Sequence, residues 1–292
     1  MDRFEKLEKQ VGELRAELTQ LKHELQDLAS QTSKNPIEKL LRQEGFPVID
    51  HGGRSQLVFP AGISFESLGT FYEFMRRYSF RLFMRDLIQF PEGSGPEDLT
   101  RYCSVRTVRS YLKVLAELGI VSQTGAKYEL LKKVPSFGPT LEWYVCEIFR
   151  REFLSPALFN VRLKNTLYGG DYDVISVIAG RLVYVEVKSS PPRGVEHQAV
   201  NAFLNRFYDL GPHIGVLLVD TELRMRDKLV PLLAEGLELE GKKGPEWAVS
   251  RLADEIFHVR HTLYLTNSRK GIYTNLRTCF RDFLTRERAG RK

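Results

Sequence analysis

"DYDVISVIAGRLVYVEVKSS", residues 171–190, decides the fold. Two apolar runs flank the short connection Ala179-Gly180-Arg181, so the segment reads as a β-hairpin. Along the second run, period-two alternation places Val183, Val185 and Val187 on one face and Tyr184, Glu186 and Lys188 on the other. Antiparallel pairing brings Asp173 close to Glu186 near the open end of the hairpin. Carboxylates in such a sheet cost free energy unless a counter-charge offsets them. One remedy is a divalent cation. The other is a plain Glu186–Lys188 ion pair with Asp173 at a solvated strand end. Hard oxygen donors with no His or Cys nearby favour Mg²⁺ or Mn²⁺ over zinc.

The flanking pattern is α/β: a mixed sheet flanked by helices. It predicts a helix over 139–153, strands over 158–165, 171–178 and 181–188, and a helix over 195–209. A buried strand "HIGVLLVD" (213–220), a helix over 221–236, a single strand "EIFHVRHTLYLT" (255–266) and a last helix over 272–287 follow. "VPSFGP" (134–139) reads as the boundary of this 137–292 domain.

This order, helix–strand–strand–strand–helix–strand, resembles the core of the PD-(D/E)xK (restriction-endonuclease-like) nuclease superfamily. "FGPTLEWYVCEIF" (137–149) is similar to the family's first helix, in which a Gly precedes a metal-associated Glu by four residues. "GGDYDV" is similar to its second strand, and "VEVK" matches the Glu-x-Lys pair. The resemblance implies a metal-dependent deoxyribonuclease with catalytic residues Asp173, Glu186, Lys188 and Glu142. Asp173, Glu186 and Glu142 would converge on one or two Mg²⁺ (or Mn²⁺) ions. Gln198, on the helix after Lys188, stands where some members carry an assisting Gln. Tyr172 replaces the Pro of the family's name, and Asp171 is a rival or auxiliary to Asp173.

Upstream, "SFESLGTFYEFMRRYSFRLFMRDLIQF" (64–90) carries one helical pattern, with Ser64 as its cap. After "PEGSGP" come a short helix, a turn at Ser104, a longer helix to Leu118, a stop at Gly119 and two strands around Gly125. "SVRTVRSYLKVLAELGIV" resembles the second and third helices of winged-helix DNA-binding domains, here spanning 64–136. On that longer helix Val108, Leu112, Leu115 and Leu118 share one side, while Arg106, Arg109, Ser110 and Lys113 lie elsewhere. The resemblance implies that these four, with Lys127 beside the wing turn, contact DNA. From Thr100 to Lys133 seven Lys or Arg stand against Glu117 and Glu129, most of the chain's net charge of +6.

Residues 31–63 read as a linker, a short helix over 37–44 and a hairpin turning at Gly52–Gly53 within "FPVIDHGGRSQLVF". Before them, Phe4, Leu7, Val11, Leu14, Leu18, Leu21, Leu25 and Leu28 repeat at intervals of three and four. Over 1–30 this is a coiled coil with leucine at every d position. In a parallel dimer Arg3 faces Glu8 and Glu17 faces Lys22, both of opposite sign. A helix packed on its own chain is the other reading.

No apolar run reaches the roughly 20 residues that span a bilayer, and "MDRFEKLEKQ" lacks a secretory apolar stretch. Cys103, Cys146 and Cys279 show no CxxC spacing. A cytoplasmic protein without membrane contact is expected. His197, His213, His258 and His261 have no metal-ligand spacing, and on one strand His258 and His261 would face opposite ways. No phosphate loop is present, so any motor would be a partner protein. The expectation is thus a homodimeric, metal-dependent endonuclease acting on duplex or branched DNA. A non-catalytic DNA-binding dimer that uses a nuclease-like domain as scaffold or regulator is the alternative, and an RNA substrate stays open. Sedimentation of the full chain at micromolar concentration is expected to return a dimer, and a monomer would remove the paired helices.

Overall fold

The computed structural model describes residues 35–290. The predicted coiled coil at 1–30 lies outside the described residues. Its centre is an eight-stranded mixed sheet with helices on both faces. In chain order the strands are β1 (Val48–Asp50), β4 (Ala157–Leu163), β5 (Tyr172–Ile178), β6 (Arg181–Lys188), β7 (Ile214–Val219), β8 (Ser250–Ala253), β9 (Ile256–Val259) and β10 (Leu263–Thr266). The sheet order is β1-β4-β5-β6-β7-β10-β9-β8. β4, β5 and β6 form an antiparallel meander, β6, β7 and β10 run parallel, and β9 and β8 return antiparallel.

Alternation sorts the two cores. Val183, Val185 and Val187 face α5 (Gly138–Arg151) and α8 (Ile272–Gly290). Tyr184, Leu182 and Leu217 face α1 (Pro36–Gln43), α6 (His197–Leu210) and α7 (Leu229–Leu239). Burial on both sides explains why β7 is apolar at every position. Gly215 is the exception that matters for packing: any side chain there would run into the ring of Phe207, so its absence lets α6 settle close on the sheet.

Residues 64–136 fold as α2 (Phe65–Met75), α3 (Tyr78–Ile88), a 3-10 turn (Pro96–Leu99), α4 (Val105–Glu117) and the antiparallel pair β2 (Val121–Thr124) and β3 (Lys127–Leu130). The single helical pattern expected over 64–90 is in fact two helices, broken at Arg76–Arg77, where Arg77 adopts extended backbone. No Gly or Pro marks the break at Arg76–Arg77, and apolar residues resume at Tyr78, so periodicity did not show it. Residues on the two sides of the expected boundary at 134–139 pack together. One apolar cluster crosses it, with Trp143 of α5 against Phe59 at 4.8 Å and Phe71 at 6.0 Å between ring centres.

A buried ion pair adds to this junction. Arg81 of α3 donates from Nε and Nη2 to both oxygens of Asp220, at 2.8–3.1 Å, and from Nη1 to the Met75 carbonyl at 2.7 Å. The two side chains are 1% and 0% exposed. Asp220 in turn follows β7, and its N–H donates to the Lys188 carbonyl at the end of β6.

Three further expectations change. The hairpin at Gly52–Gly53 does not form: β1 pairs instead with β4, a distant strand, and the chain then enters a 3-10 turn. The strand expected over 255–266 is two antiparallel strands, β9 and β10, reversed at Arg260 and His261, both at positive φ. No Gly or Asn marks that turn, so alternation ran through it unseen. The reversal stacks the His258 and His261 rings at 3.8 Å rather than sending them to opposite faces. The helix expected over 221–236 begins only at Leu229. Among the described residues no helix is long and apolar enough to cross a membrane.

Arg81→Met should destabilise the chain by about 3–5 kcal/mol, because Asp220 is left charged and unpaired in an apolar surround. Urea unfolding should show a lower midpoint, with much of the loss recovered in an Arg81→Met/Asp220→Leu double variant.

Candidate functional site

The β5–β6 register places the predicted acids. Val174 pairs with Val185, and beyond it the ladder opens. There Asp173 no longer pairs through its backbone; its Oδ2 accepts the Val187 N–H at 2.7 Å instead. The side chain thus substitutes for a ladder bond and holds its carboxylate against the Glu186 strand. Glu142 approaches from the first turns of α5, next to Gly138.

Glu186 is fully buried and its two oxygens are occupied. Oε1 accepts from Lys188 Nζ at 2.7 Å and from Arg206 Nη2 at 3.3 Å, and Oε2 accepts from the Tyr184 hydroxyl. Arg206, on α6, also donates through Nε to the Tyr184 oxygen at 3.2 Å. Burial acts to lower the Lys188 pKa, but Glu186 and Asp173 outweigh it and the net shift is upward. Lys188 is therefore an ammonium group at neutral pH, suited to steadying negative charge rather than to taking a proton.

Asp173 and Glu142 receive no such cation. Burial, then the charges of Glu186 and Glu142, raise the Asp173 carboxyl well above its usual range. Burial, followed by Glu186, raises Glu142 to about 7, against the pull of Lys188. Glu186 raises both, so the three acids share one corner of the molecule. Among the described residues, however, no three His, Cys, Asp or Glu side chains close on a common point. Glu186 is turned towards Lys188, Arg206 and Tyr184. The donor set still suits a hard divalent ion: carboxylate oxygens only, with no hydrogen bond to Glu142 among the described residues and a single backbone donor on Asp173.

The other predicted residues divide. Asp171 is exposed and ion-paired with Arg162 at 3.3 Å, and its charge reaches Glu142. Gln198 is exposed on the first turn of α6, with no hydrogen bond to the acids. Sequence reasoning missed Arg206 and the role of Tyr184. Tyr184 shares the alternating face of Glu186, a usable signal, whereas Arg206 is twenty residues away and only the packing of α6 brings it in. On α4, Arg106, Arg109, Ser110 and Lys113 are all exposed, as is Lys127 on β3, while Val108, Leu112 and Leu115 are buried. Arg109 pairs with Glu97 at 2.9 Å and Lys133 with Glu92 at 3.1 Å. Counting those neighbours, residues 92–133 carry seven basic against five acidic side chains, so the local excess is smaller than the 100–133 window implied.

No family model matches the chain, and no curated protein matches it. Among solved structures it is similar to protein VC1899 from Vibrio cholerae, at 15% identity and a TM-score of 0.47. The likeness covers 75% of this chain and 58% of that one, so the chain spans under two thirds of that protein's length.

The raised Glu142 carboxyl makes a pH prediction. A folded-state pKa near 7 against an ordinary 4.5 means the folded protein holds a proton that the unfolded chain gives up. That contribution to stability is present below about pH 4.5 and is lost as pH rises through about 7. Thermal melting without divalent ions should therefore fall across this window, and Glu142→Gln should flatten the fall. Added Mn²⁺ should stabilise most at the alkaline end.

Proposed function

We propose that this protein is a metal-dependent deoxyribonuclease of the PD-(D/E)xK kind, hydrolysing phosphodiester bonds in DNA. The observation that supports the reading is that Asp173 binds the Val187 N–H beside the Glu186–Lys188 pair, with Glu142 near enough for its charge and theirs to influence one another. Asp173, Glu142 and Glu186 would hold Mg²⁺ or Mn²⁺. When bound, such an ion supplies a Lewis acid for a phosphate oxygen and a lowered pKa for bound water. The chain's own contribution is electrostatic and positional. Lys188, fixed on Glu186, presents an ammonium group where negative charge grows at the phosphorus. The Val187 N–H keeps the Asp173 carboxylate aimed at the open end of the hairpin.

DNA would be gripped by residues 64–136 acting as a winged helix, with α4 as the groove-facing helix and β2–β3 as the wing. Three α-helices and a 3-10 turn followed by a β-pair, with exposed basic residues on α4, support this. Arg106 and Lys127 enter no ion pair among the described residues, so their charge is available to phosphate. Pairing of two chains through 1–30 would set two such sites against two strands.

One observation favours a second reading, a DNA-binding scaffold that does not cut. Both Glu186 oxygens are engaged, which is a self-sufficient arrangement for a structural ion-pair network. The two readings separate on a panel of supercoiled, linear, nicked, flapped and four-way DNA with Mg²⁺ or Mn²⁺. A nuclease should cut at least one substrate, and Glu186→Ala and Lys188→Ala should abolish cutting while leaving DNA retention within about twofold. Arg106→Ala/Lys127→Ala should weaken retention and lower its salt dependence. Intact DNA on every substrate and salt concentration would leave the scaffold.

A further inference from the structure

Glu186 is the focus of three donors from two elements, and only one of those donors belongs to the motif that suggested a nuclease. Lys188 Nζ is the shorter contact on Oε1, at 2.7 Å, and Arg206 Nη2 the longer, at 3.3 Å. Tyr184 closes Oε2, and Arg206 Nε bonds to that same tyrosine oxygen. Arg206, Tyr184 and Glu186 therefore form a closed ring of contacts on the α6 side of the sheet. Arg206 is nearly enclosed, its side chain 13% exposed. Its Nη1 passes over Gly170, where a Cβ would lie 3.4 Å away, and Gly170 holds a positive φ of 112°. The guanidinium thus lies beside the loop that leads into Asp171 and Asp173. Because the guanidinium is planar and forked, it fixes two partners at once, which a lysine at this site could not.

A carboxylate offers about four lone-pair positions, and Glu186 already spends three. A divalent ion reaching Oε1 meets the Arg206 bond as the weaker occupant and a full positive charge directly behind it. This also accounts for the imbalance within the corner: both nearby cations serve Glu186, and Asp173 and Glu142 are left to each other.

We infer that Arg206 is a positioning residue that, with Tyr184, holds Glu186 back from the cation site and competes with the ion for its carboxylate. The inference rests on the proposed role of Glu186 as a cation ligand. Arg206 touches neither substrate nor ion; it acts through Glu186. Its consequence is a site loaded only when the ion draws Glu186 off the guanidinium and across to Asp173 and Glu142. Removing Arg206 should then strengthen ion uptake while weakening turnover, because Glu186 loses its aim. A merely structural arginine would lower both, together with the melting temperature.

The test is calorimetric titration of the full chain with Mn²⁺ alone at fixed pH, beside thermal melting and cleavage rates. Arg206→Met should bind Mn²⁺ at least about fivefold more tightly, since one competing charge is gone. Arg206→Lys keeps the charge but not the fork, so it should tighten Mn²⁺ by less than Arg206→Met does. Tyr184→Phe changes no charge and should tighten Mn²⁺ by a smaller factor, which keeps the idea testable if Arg206→Met does not fold. Uptake lost in Glu186→Ala, yet equal or weaker in both Arg206→Met and Tyr184→Phe, overturns the positioning role alone. Uptake that Glu186→Ala leaves unchanged removes Glu186 as a ligand, and the hydrolase reading falls with it.

Discussion

Arg81 and Asp220 cannot part without leaving a bare charge in an apolar interior. That constraint joins the helical segment 64–136 to the sheet more firmly than apolar contact alone would, since a greasy interface can slide and a bidentate buried pair cannot. The location is as telling as the strength. Asp220 lies just past β7 and bonds through its N–H to the Lys188 carbonyl, so the pair also pins the end of the strand that carries Glu186 and Lys188. A helix that packs around α4 and a strand that ends at the candidate site thus share one fixed point.

Within the acidic corner, charge accounting explains the geometry. Three carboxyl groups and two cations occupy one partly buried region, with Glu186 its most enclosed member. The cations do not divide evenly; both bind Glu186, whose partners therefore hold it in place, while Asp173 and Glu142 are raised by burial and by the charge of Glu186. Such an arrangement is poorly balanced without another positive charge and well balanced with one.

The basic face of α4 illustrates the opposite lesson about charge. Read along the chain, the excess looked concentrated. In space, Glu97 and Glu92 come from just outside the window to meet Arg109 and Lys133. Lys113 also meets Glu117 on its own helix, so what is left is a narrower surface centred on Arg106 and Lys127, and it is local exposure rather than summed charge that defines it.

Much of the architecture was legible because its signals are local. Alternation in 171–190 depends only on strand period, so the hairpin, its inward valines and the closeness of Asp173 to Glu186 all followed from the order of residues. Ser104 as a cap and the apolar side of α4 are equally local. Where several residues in a row served either outcome, the reading failed: the break at Arg76–Arg77, and the reversal at Arg260–His261, where no glycine announced it. Pairing of β1 with β4, the ion pair across 139 residues and the arrival of Arg206 beside Glu186 were decided by tertiary packing alone. Each depends on how closely one element approaches another, as Gly215 sets the approach of α6. Sequence determines which face a side chain takes; what stands opposite that face is set only when the layers close.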